Sequence, residues 1–299
     1  MTRSHRITHH PVADGSLAVG RWEGSAPPVV AFAGLASTHL AWSHLAADPA
    51  RTFGIIAPDL RGRGGSAALP GPFGMDRHVD DVIALLDALE VRRAILLGHS
   101  MGAFLAVSVA VAHPDRVAGV VLVDGGVPPV AANNGRGDLT RMVLEKTREQ
   151  LDRIHSSVDE YVAQQAGAQA EGVGWDDLLA RSAAYELTEV PGGFRKAASF
   201  EAIAADALHI DGEASERALL ALRSPAVLLR AEEGMFGRGP LYPRSEAERW
   251  RSRVPALRFV DVPGVNHASI VVRAAGTGAV IRAVEEMRTA GRGGEEPAA

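Results

Sequence analysis

The sequence predicts an α/β fold in which helices flank a mostly parallel sheet, and three observations favour this fold. First, short continuous apolar runs occur at 29–33, 53–57, 94–98 and 119–123. Such runs are typical of strands that are buried on both faces of a parallel sheet. Second, helical patterns lie between these runs. Third, the same alternation of apolar runs and helical patterns returns near the C-terminus. This alternation is typical of βαβ units.

Two segments between the apolar runs have a helical pattern. Residues 76–90 repeat apolar side chains at helical spacing, so that one side of the helix is apolar. These side chains are Val79, Val82, Ile83, Leu85, Leu86 and Leu89. Residues 101–112 are rich in alanine and valine and are expected to form a second helix.

Two further runs extend the sheet near the C-terminus. They lie at 225–230 and 257–262, and a last helix is expected around 275–289. The strands and helices therefore define a core that comprises 1–126 and 216–290.

The strand rhythm stops between these two parts of the core. Pro128-Pro129 and Asn133-Asn134-Gly135 interrupt the chain there, and Ala-rich, charged, mostly helical segments follow. We interpret 127–215 as a helical cap, inserted over the carboxyl edge of the sheet. The tail at 291–299 is low in apolar residues and is expected to be disordered.

The composition is that of a globular protein that acts on small molecules. Of the 299 residues, 46% are hydrophobic and 22% are charged, which is ordinary for a globular chain. A net charge of -5 provides no basic field for nucleic acid, so a small-molecule partner is expected. The absence of cysteine excludes disulfides, a thiolate nucleophile and a thiolate metal site, and no cofactor or metal is predicted.

The N-terminus predicts neither export nor a membrane anchor. It is polar, with His5, His9 and His10, and lacks the apolar core of a signal peptide. No stretch reaches the ~18 apolar residues of a membrane span, so a cytoplasmic protein without membrane contact is expected. The three histidines fit a frayed terminus or an early strand, and we assign them no function.

Ser100 is predicted to be a nucleophile because of its place in Gly98-His99-Ser100-Met101-Gly102. This segment lies directly after an apolar run and directly before a helical pattern, which is the context of a nucleophile elbow. The glycines remove side chains that would clash at so sharp a turn, and the serine is exposed at its tip. The alternative is a serine that only caps the helix.

His267 is the best candidate for the base that a serine nucleophile needs. It lies in Pro263-Gly-Val-Asn-His267, just past the last predicted strand. A parallel sheet would bring it to the same edge as Ser100. His99 adjoins the nucleophile, but neighbouring residues on a tight turn point apart, so we expect it to pack beside the site.

Three blocks of residues resemble the α/β-hydrolase fold family over nearly the whole chain. They are Ala33-Gly34-Leu35, Asp59-Leu-Arg-Gly-Arg-Gly-Gly-Ser66 and Gly98-His-Ser-Met-Gly102, each after an apolar run. The resemblance implies an α/β-hydrolase sheet with a helical cap after the sixth strand. We interpret the Asp59 block as a turn and leave it out of the site.

The resemblance also implies an oxyanion hole made by two backbone N–H groups, those of Leu35 and Met101. The start of the following helix favours negative charge near Met101. The family's usual His-Gly pair reads Ala33-Gly34 here. The donor is a backbone group, so the hole can persist, but its loop must be supported differently.

The acid of the triad is not fixed by the sequence. Where the family commonly has an aspartate, this chain reads Ala231-Glu232-Glu233-Gly234. Asp124, at the end of the apolar run 119–123, is favoured because it keeps the order serine, acid, histidine. Glu232 and Glu233 stay open as alternatives, and Asp124 could instead only shape a turn.

The predicted activity is that of a serine hydrolase that cleaves a small carboxylic ester, lactone or thioester through an acyl-enzyme on Ser100. A carbon–carbon bond hydrolase would need the same triad and stays open as an alternative. So does a catalytically weak homologue that only binds a ligand. The natural substrate and the oligomeric state are not predicted.

Overall fold

The computed structural model describes residues 4–128, 136–169, 173–211, 213–234 and 239–292. The strands in these residues are β1 (His5–Val12), β2 (Gly15–Trp22), β3 (Ser25–Phe32), β4 (Phe53–Pro58), β5 (Ala94–His99), β6 (Val117–Val123), β7 (Leu187–Val190), β8 (Gly193–Lys196), β9 (Ala226–Ala231) and β10 (Leu257–Val262). Eight of them form one sheet in the order β1-β2-β4-β3-β5-β6-β9-β10.

The helices in the same residues are α1 (Ser43–Ala47), α2 (Met75–Ala88), α3 (Met101–Ala112), α4 (Arg136–Asp152), α5 (Val158–Gln169), α6 (Asp177–Tyr185), α7 (Phe200–Asp211), α8 (Glu213–Ala221), α9 (Arg244–Arg253) and α10 (Ala274–Arg292). Short 3-10 helices lie at His39–Trp42, Gly64–Ser66, Pro114–Arg116 and Ser269–Val271. Within the described residues, every helix is too short or too polar to cross a lipid bilayer.

The structure confirms the predicted α/β fold with a mostly parallel sheet. All six predicted strands belong to the sheet, and from β4 to β10 its neighbouring strands are parallel. Only β1 and β2, at one edge, pair antiparallel. The carboxyl ends of β3, β5, β6 and β10 therefore meet at one edge of the sheet.

The central strands contain continuous apolar runs because both faces of the sheet are covered. Val30 and Phe32 of β3 face a core cluster that includes side chains of α2, α3 and α9. Val29 and Ala31 face a second cluster with side chains of α1 and α10. Alternate residues of one strand thus enter opposite cores, which explains the continuous apolar runs.

The chain between β6 and β9 holds helices α4 to α8 and a two-stranded hairpin, β7–β8, that the sequence analysis did not predict. We refer to this part as the insertion. The predicted boundary at 215 falls inside α8, and α10 reaches Arg292, past the predicted start of the tail at 291. Pro129, Asn133-Asn134-Gly135 and 293–299 lie outside the described residues. The division into core and cap stays a prediction.

Candidate active site

Ser100 lies at the turn between β5 and α3, in a conformation that L-residues rarely adopt. Its φ is 54° and its ψ is -120°. A Cβ on Gly98 would lie 2.2 Å from the carbonyl oxygen of Gly102, and one on Gly102 would lie 2.3 Å from that of Phe32. Backbone atoms cannot move aside, so both positions require glycine. The turn thus explains the spacing of the two glycines around the serine.

His267 reaches Ser100 from the loop after β10. The Nε2 atom of His267 lies 3.0 Å from the Oγ atom of Ser100. The loop is held by Asn266, whose Oδ1 accepts hydrogen bonds from the N–H groups of Ala268 and Ser269. The His267 side chain is 27% exposed, so a ligand or water can approach it.

Asp124 completes the arrangement from the end of β6. Its Oδ2 lies 2.8 Å from Nδ1 of His267, and its side chain is fully buried. Because a carboxylate only accepts, Nδ1 carries the proton and Nε2 is left to accept from the Ser100 hydroxyl. The other oxygen, Oδ1, accepts the N–H of Ala231 at 2.9 Å.

Neither alternative acid takes this position. Glu232 follows β9 and forms a 3.5 Å ion pair with Arg244 at the surface. The side chain of Glu233 is exposed, and its N–H bonds to the carbonyl of Val265. The structure thus brings Asp124, rather than either glutamate, against His267.

His99 packs beside the site, where the sequence analysis placed it. Its Nε2 donates to the carbonyl oxygen of His267 at 2.9 Å, and the two ring centroids are 4.9 Å apart. Burial and the repulsion from His267 lower the pKa of His99 to about 3. A neutral His99 therefore supports the backbone of His267 without adding charge beside it.

The predicted oxyanion donors lie on two sides of Ser100. Met101 is the first residue of α3, and Leu35 follows β3 after Gly34. A Cβ on Gly34 would lie 3.4 Å from the Cβ of Ser100, so this loop runs against the nucleophile. In the described part of the chain, neither N–H donates to another protein group. Both are therefore available to a ligand.

The Asp59 block forms a buried turn, and one of its residues has a role that the sequence did not reveal. Asp59 accepts hydrogen bonds from the backbone and ring of His39, from Gly65 and from the hydroxyl of Tyr185. Arg63 donates from Nε to the carbonyl oxygen of Leu35. Nothing in the sequence of this glycine-rich turn indicates the contact between Arg63 and Leu35.

No metal centre accompanies these residues in the part of the chain that the structure describes. There, no three His, Cys, Asp or Glu side chains are grouped so that they could hold a metal ion. The arrangement can abstract a hydroxyl proton, attack an electrophilic carbon and bind developing negative charge.

Comparisons with known proteins point to one family. A family profile described as "alpha/beta hydrolase fold" matches residues 27–274. A 2-hydroxymuconate semialdehyde hydrolase of Pseudomonas sp. strain CF600 is 36% identical over 101 residues, which are 33% of each chain. Lipase LipV of Mycobacterium tuberculosis is 34% identical over 124 residues, 42% of each chain. The chain thus spans between a third and about two fifths of these relatives.

Solved structures show the same fold. The crystal structure of E-2-(acetamidomethylene)succinate hydrolase superposes with a TM-score of 0.78 and 24% identity. The superposition covers 96% of this chain and 100% of that one. At this identity the likeness concerns the fold alone.

Proposed function

The chain belongs to the alpha/beta hydrolase fold family, and from this premise we propose that it is a serine hydrolase. We propose that it cleaves a small carboxylic ester, lactone or thioester through an acyl-enzyme on Ser100. The observation that carries the proposal is the hydrogen-bonded series Ser100, His267 and Asp124, with contacts of 3.0 Å and 2.8 Å. The three side chains follow three strands of one sheet and meet at its carboxyl edge.

Acylation starts with the Ser100 hydroxyl. His267 takes its proton on Nε2 while Oγ attacks the carbonyl carbon of the substrate. Asp124 stabilises the imidazolium that forms, because it accepts the Nδ1–H. The N–H groups of Leu35 and Met101 bind the oxyanion of the tetrahedral intermediate. When that intermediate collapses, Nε2 returns the proton to the leaving alcohol or thiol.

Deacylation repeats these steps with water. His267 takes a proton from a water molecule, which attacks the acyl carbon, and Ser100 leaves with the proton that His267 returns. The reaction needs only side chains, backbone N–H groups and water. The proposed partner is therefore a small acyl compound. The similarity to a lipase supports an ester bond as the bond that is cleaved.

A carbon–carbon bond hydrolase is the second candidate function. The similarity to a 2-hydroxymuconate semialdehyde hydrolase favours it, because such a reaction can use the same three side chains. A serine at the nucleophile position, in contrast, does not suit reactions that pass through an aspartyl ester.

Labelling with a fluorophosphonate tests whether Ser100 is a nucleophile. We expect one adduct per wild-type chain, on Ser100, and none after Ser100→Ala. Ser252→Ala is the matched control, because this hydroxyl donates to the carbonyl of Arg249 in an exposed part of α9. It should label like the wild type. A wild-type protein that stays unlabelled, with His267 and Asp124 intact, would favour the ligand-binding alternative.

A substrate panel then separates the bond types. Short-chain nitrophenyl esters, lactones, thioesters and a β-diketone would be compared by kcat/KM in the wild type and in Ser100→Ala. The proposal expects turnover of at least one acyl class and weak or no turnover of the β-diketone. A higher kcat/KM for the β-diketone than for every acyl compound would show instead that the protein is a carbon–carbon bond hydrolase.

A further inference from the structure

A buried arginine connects the insertion with the loop that holds Leu35. The side chain of Arg63 is 1% exposed. Its Nε–H donates to the carbonyl of Leu35, one terminal nitrogen donates to the carbonyl of Arg61, and the other pairs with Asp206. The guanidinium is thus held in one orientation by fixed partners on three sides.

Asp206 holds Arg63 from α7, which belongs to the insertion. The same carboxylate oxygen lies 3.0 Å from Nε2 of His78 on α2, and all three side chains are buried. Burial raises the pKa of Asp206, but the hydrogen bond from His78 and the charge of Arg63 outweigh it, so the net pKa is lowered. An ionised Asp206 is therefore the stable partner of Arg63.

The Leu35 loop is anchored through its carbonyl groups. The carbonyl of Gly34 accepts the N–H of Ser37 at 3.1 Å. Because the peptide is trans, the N–H of Leu35 points away from that carbonyl. The next carbonyl, that of Leu35, is the one that Arg63 holds. Both peptide groups around Leu35 therefore have fixed planes, and its N–H keeps one direction.

We propose that Arg63 is a positioning residue for the oxyanion hole. It fixes the Leu35 peptide through the Nε–H contact, and Asp206 keeps its guanidinium in place. This inference rests on the proposed function, since it gives the Leu35 N–H a use. The loop lacks the histidine that the family usually has, and an arginine from the Asp59 block supports it instead.

The contact also makes the hole depend on the insertion. The Gly64 N–H donates to the carbonyl of Ala197, and the Ser199 N–H donates to that of Gly62, both at 2.8 Å. These two hydrogen bonds join the segment around Arg63 to the insertion, next to the ion pair with Asp206. The insertion therefore holds Arg63, the residue that orients the Leu35 N–H.

Arg63→Lys tests the inference against a matched control, Arg61→Lys. Both arginines are buried in the same turn and both pair with an aspartate. The guanidinium of Arg61, however, pairs with Asp81 and donates to the carbonyl groups of Pro70 and Ala13 instead of Leu35. A lysine cannot donate to Leu35 and pair with Asp206 in the same fork geometry. We expect Arg63→Lys to lower kcat about 10- to 100-fold, with KM little changed. This is a smaller loss than that caused by removal of an oxyanion donor, because the Leu35 N–H is still present.

Affinity for a boronic acid that mimics the tetrahedral intermediate should fall by the same factor in Arg63→Lys. Arg61→Lys should lower the melting temperature but keep kcat and the boronic acid affinity. If both variants lose only thermal stability, Arg63 has a structural role and the inference is wrong. Asp206→Asn, which keeps the side-chain shape, provides a second variant should Arg63→Lys fail to fold, and it should show the same loss of kcat.

Amide exchange of Ser37 supplies a readout that does not depend on catalysis. Its N–H holds the Gly34 carbonyl, so a loosened loop should exchange this amide at least about tenfold faster in Arg63→Lys than in Arg61→Lys. Equal exchange in both variants would overturn the inference even if the wild type were not a serine hydrolase. A wild-type protein without a fluorophosphonate adduct would overturn the proposed function separately.

Discussion

Asp124 binds His267 with one carboxylate oxygen, and its other oxygen accepts the N–H of Ala231 at the end of the neighbouring strand. The second contact fixes the carboxylate plane, because β6 and β9 are adjacent in the sheet. The carboxylate that orients the imidazole of His267 is therefore held by the sheet itself.

Asp124→Asn should lower kcat on the order of 10³–10⁴-fold while the protein stays folded. The amide oxygen would keep the Ala231 N–H, which leaves the NH₂ group facing Nδ1 of His267. That donor forces the proton onto Nε2, so His267 can no longer accept the Ser100 proton. Steady-state kinetics and the rate of fluorophosphonate labelling would measure the loss.

The two glutamates give the control for this prediction. Glu232→Gln and Glu233→Gln remove carboxylates that do not contact His267, so both variants should keep kcat within about twofold. Full activity in Asp124→Asn, or a large loss in either glutamate variant, would show that the acid has been assigned to the wrong residue.

Gly102→Ala should destabilise the protein strongly. The new Cβ would lie 2.3 Å from the carbonyl oxygen of Phe32 and 2.6 Å from that of Ala33, and β3 cannot shift without opening the sheet. We expect a loss of ~3 kcal/mol or more in the free energy of unfolding, at or above the upper range for overpacking. Urea denaturation of the purified variant would measure it.

Gly167→Ala is the matched substitution in α5. Nothing lies within 4 Å of the Cβ that it adds, so the alanine should raise the free energy of unfolding by up to about 1 kcal/mol through helix propensity. A Gly102→Ala protein as stable as the wild type would mean that the turn can open without cost.

His99→Gln should flatten the acid side of the stability profile. Burial, with the repulsion from His267, lowers the folded-state pKa of His99 from its ordinary value of 6.5 to about 3, so the unfolded chain binds a proton that the folded chain excludes. Wild-type stability therefore falls as the pH drops below about 6.5, by up to ~1.4 kcal/mol per pH unit from this residue. Glutamine keeps a donor for the His267 carbonyl but binds no proton.

Urea denaturation at pH 7.5, 6.0 and 5.0 would measure this difference. Wild type and His99→Gln should have similar slopes above pH 7 and diverge below pH 6.5. Parallel profiles over the whole range would mean that His99 can be protonated in the folded protein at little cost.

The sequence predicted the parallel part of the sheet well and its antiparallel edge, β1 and β2, poorly. Residues 29–32 of β3 and nearly all residues of β4 to β6 are buried, and this shows as continuous apolar runs. Strand β1 alternates between exposed and half-buried positions and is rich in histidine, so it has no apolar run. Helix α9 was missed for the same reason, since most of its residues are polar or charged.

Much of the candidate site followed from strand ends, which also favoured Asp124 as the acid but left Glu232 and Glu233 open. Ser100 and His267 are each marked by local sequence. The choice between Asp124 and the glutamates depends on β6 lying beside β9, which is a property of strand order and not of either segment. Arg63 could not be found because its partners are 28 and 143 positions away in the chain.

At Ser100, the backbone conformation lowers stability, whereas the side chain serves the proposed activity. A residue other than glycine held at a φ of 54° costs of order 1–3 kcal/mol. Glycine would relieve that cost and remove the hydroxyl, so Ser100→Gly is expected to be more stable than the wild type and inactive. Selection for stability alone would thus favour glycine at this position, and the proposed role of Ser100 as nucleophile would explain why a serine stands there.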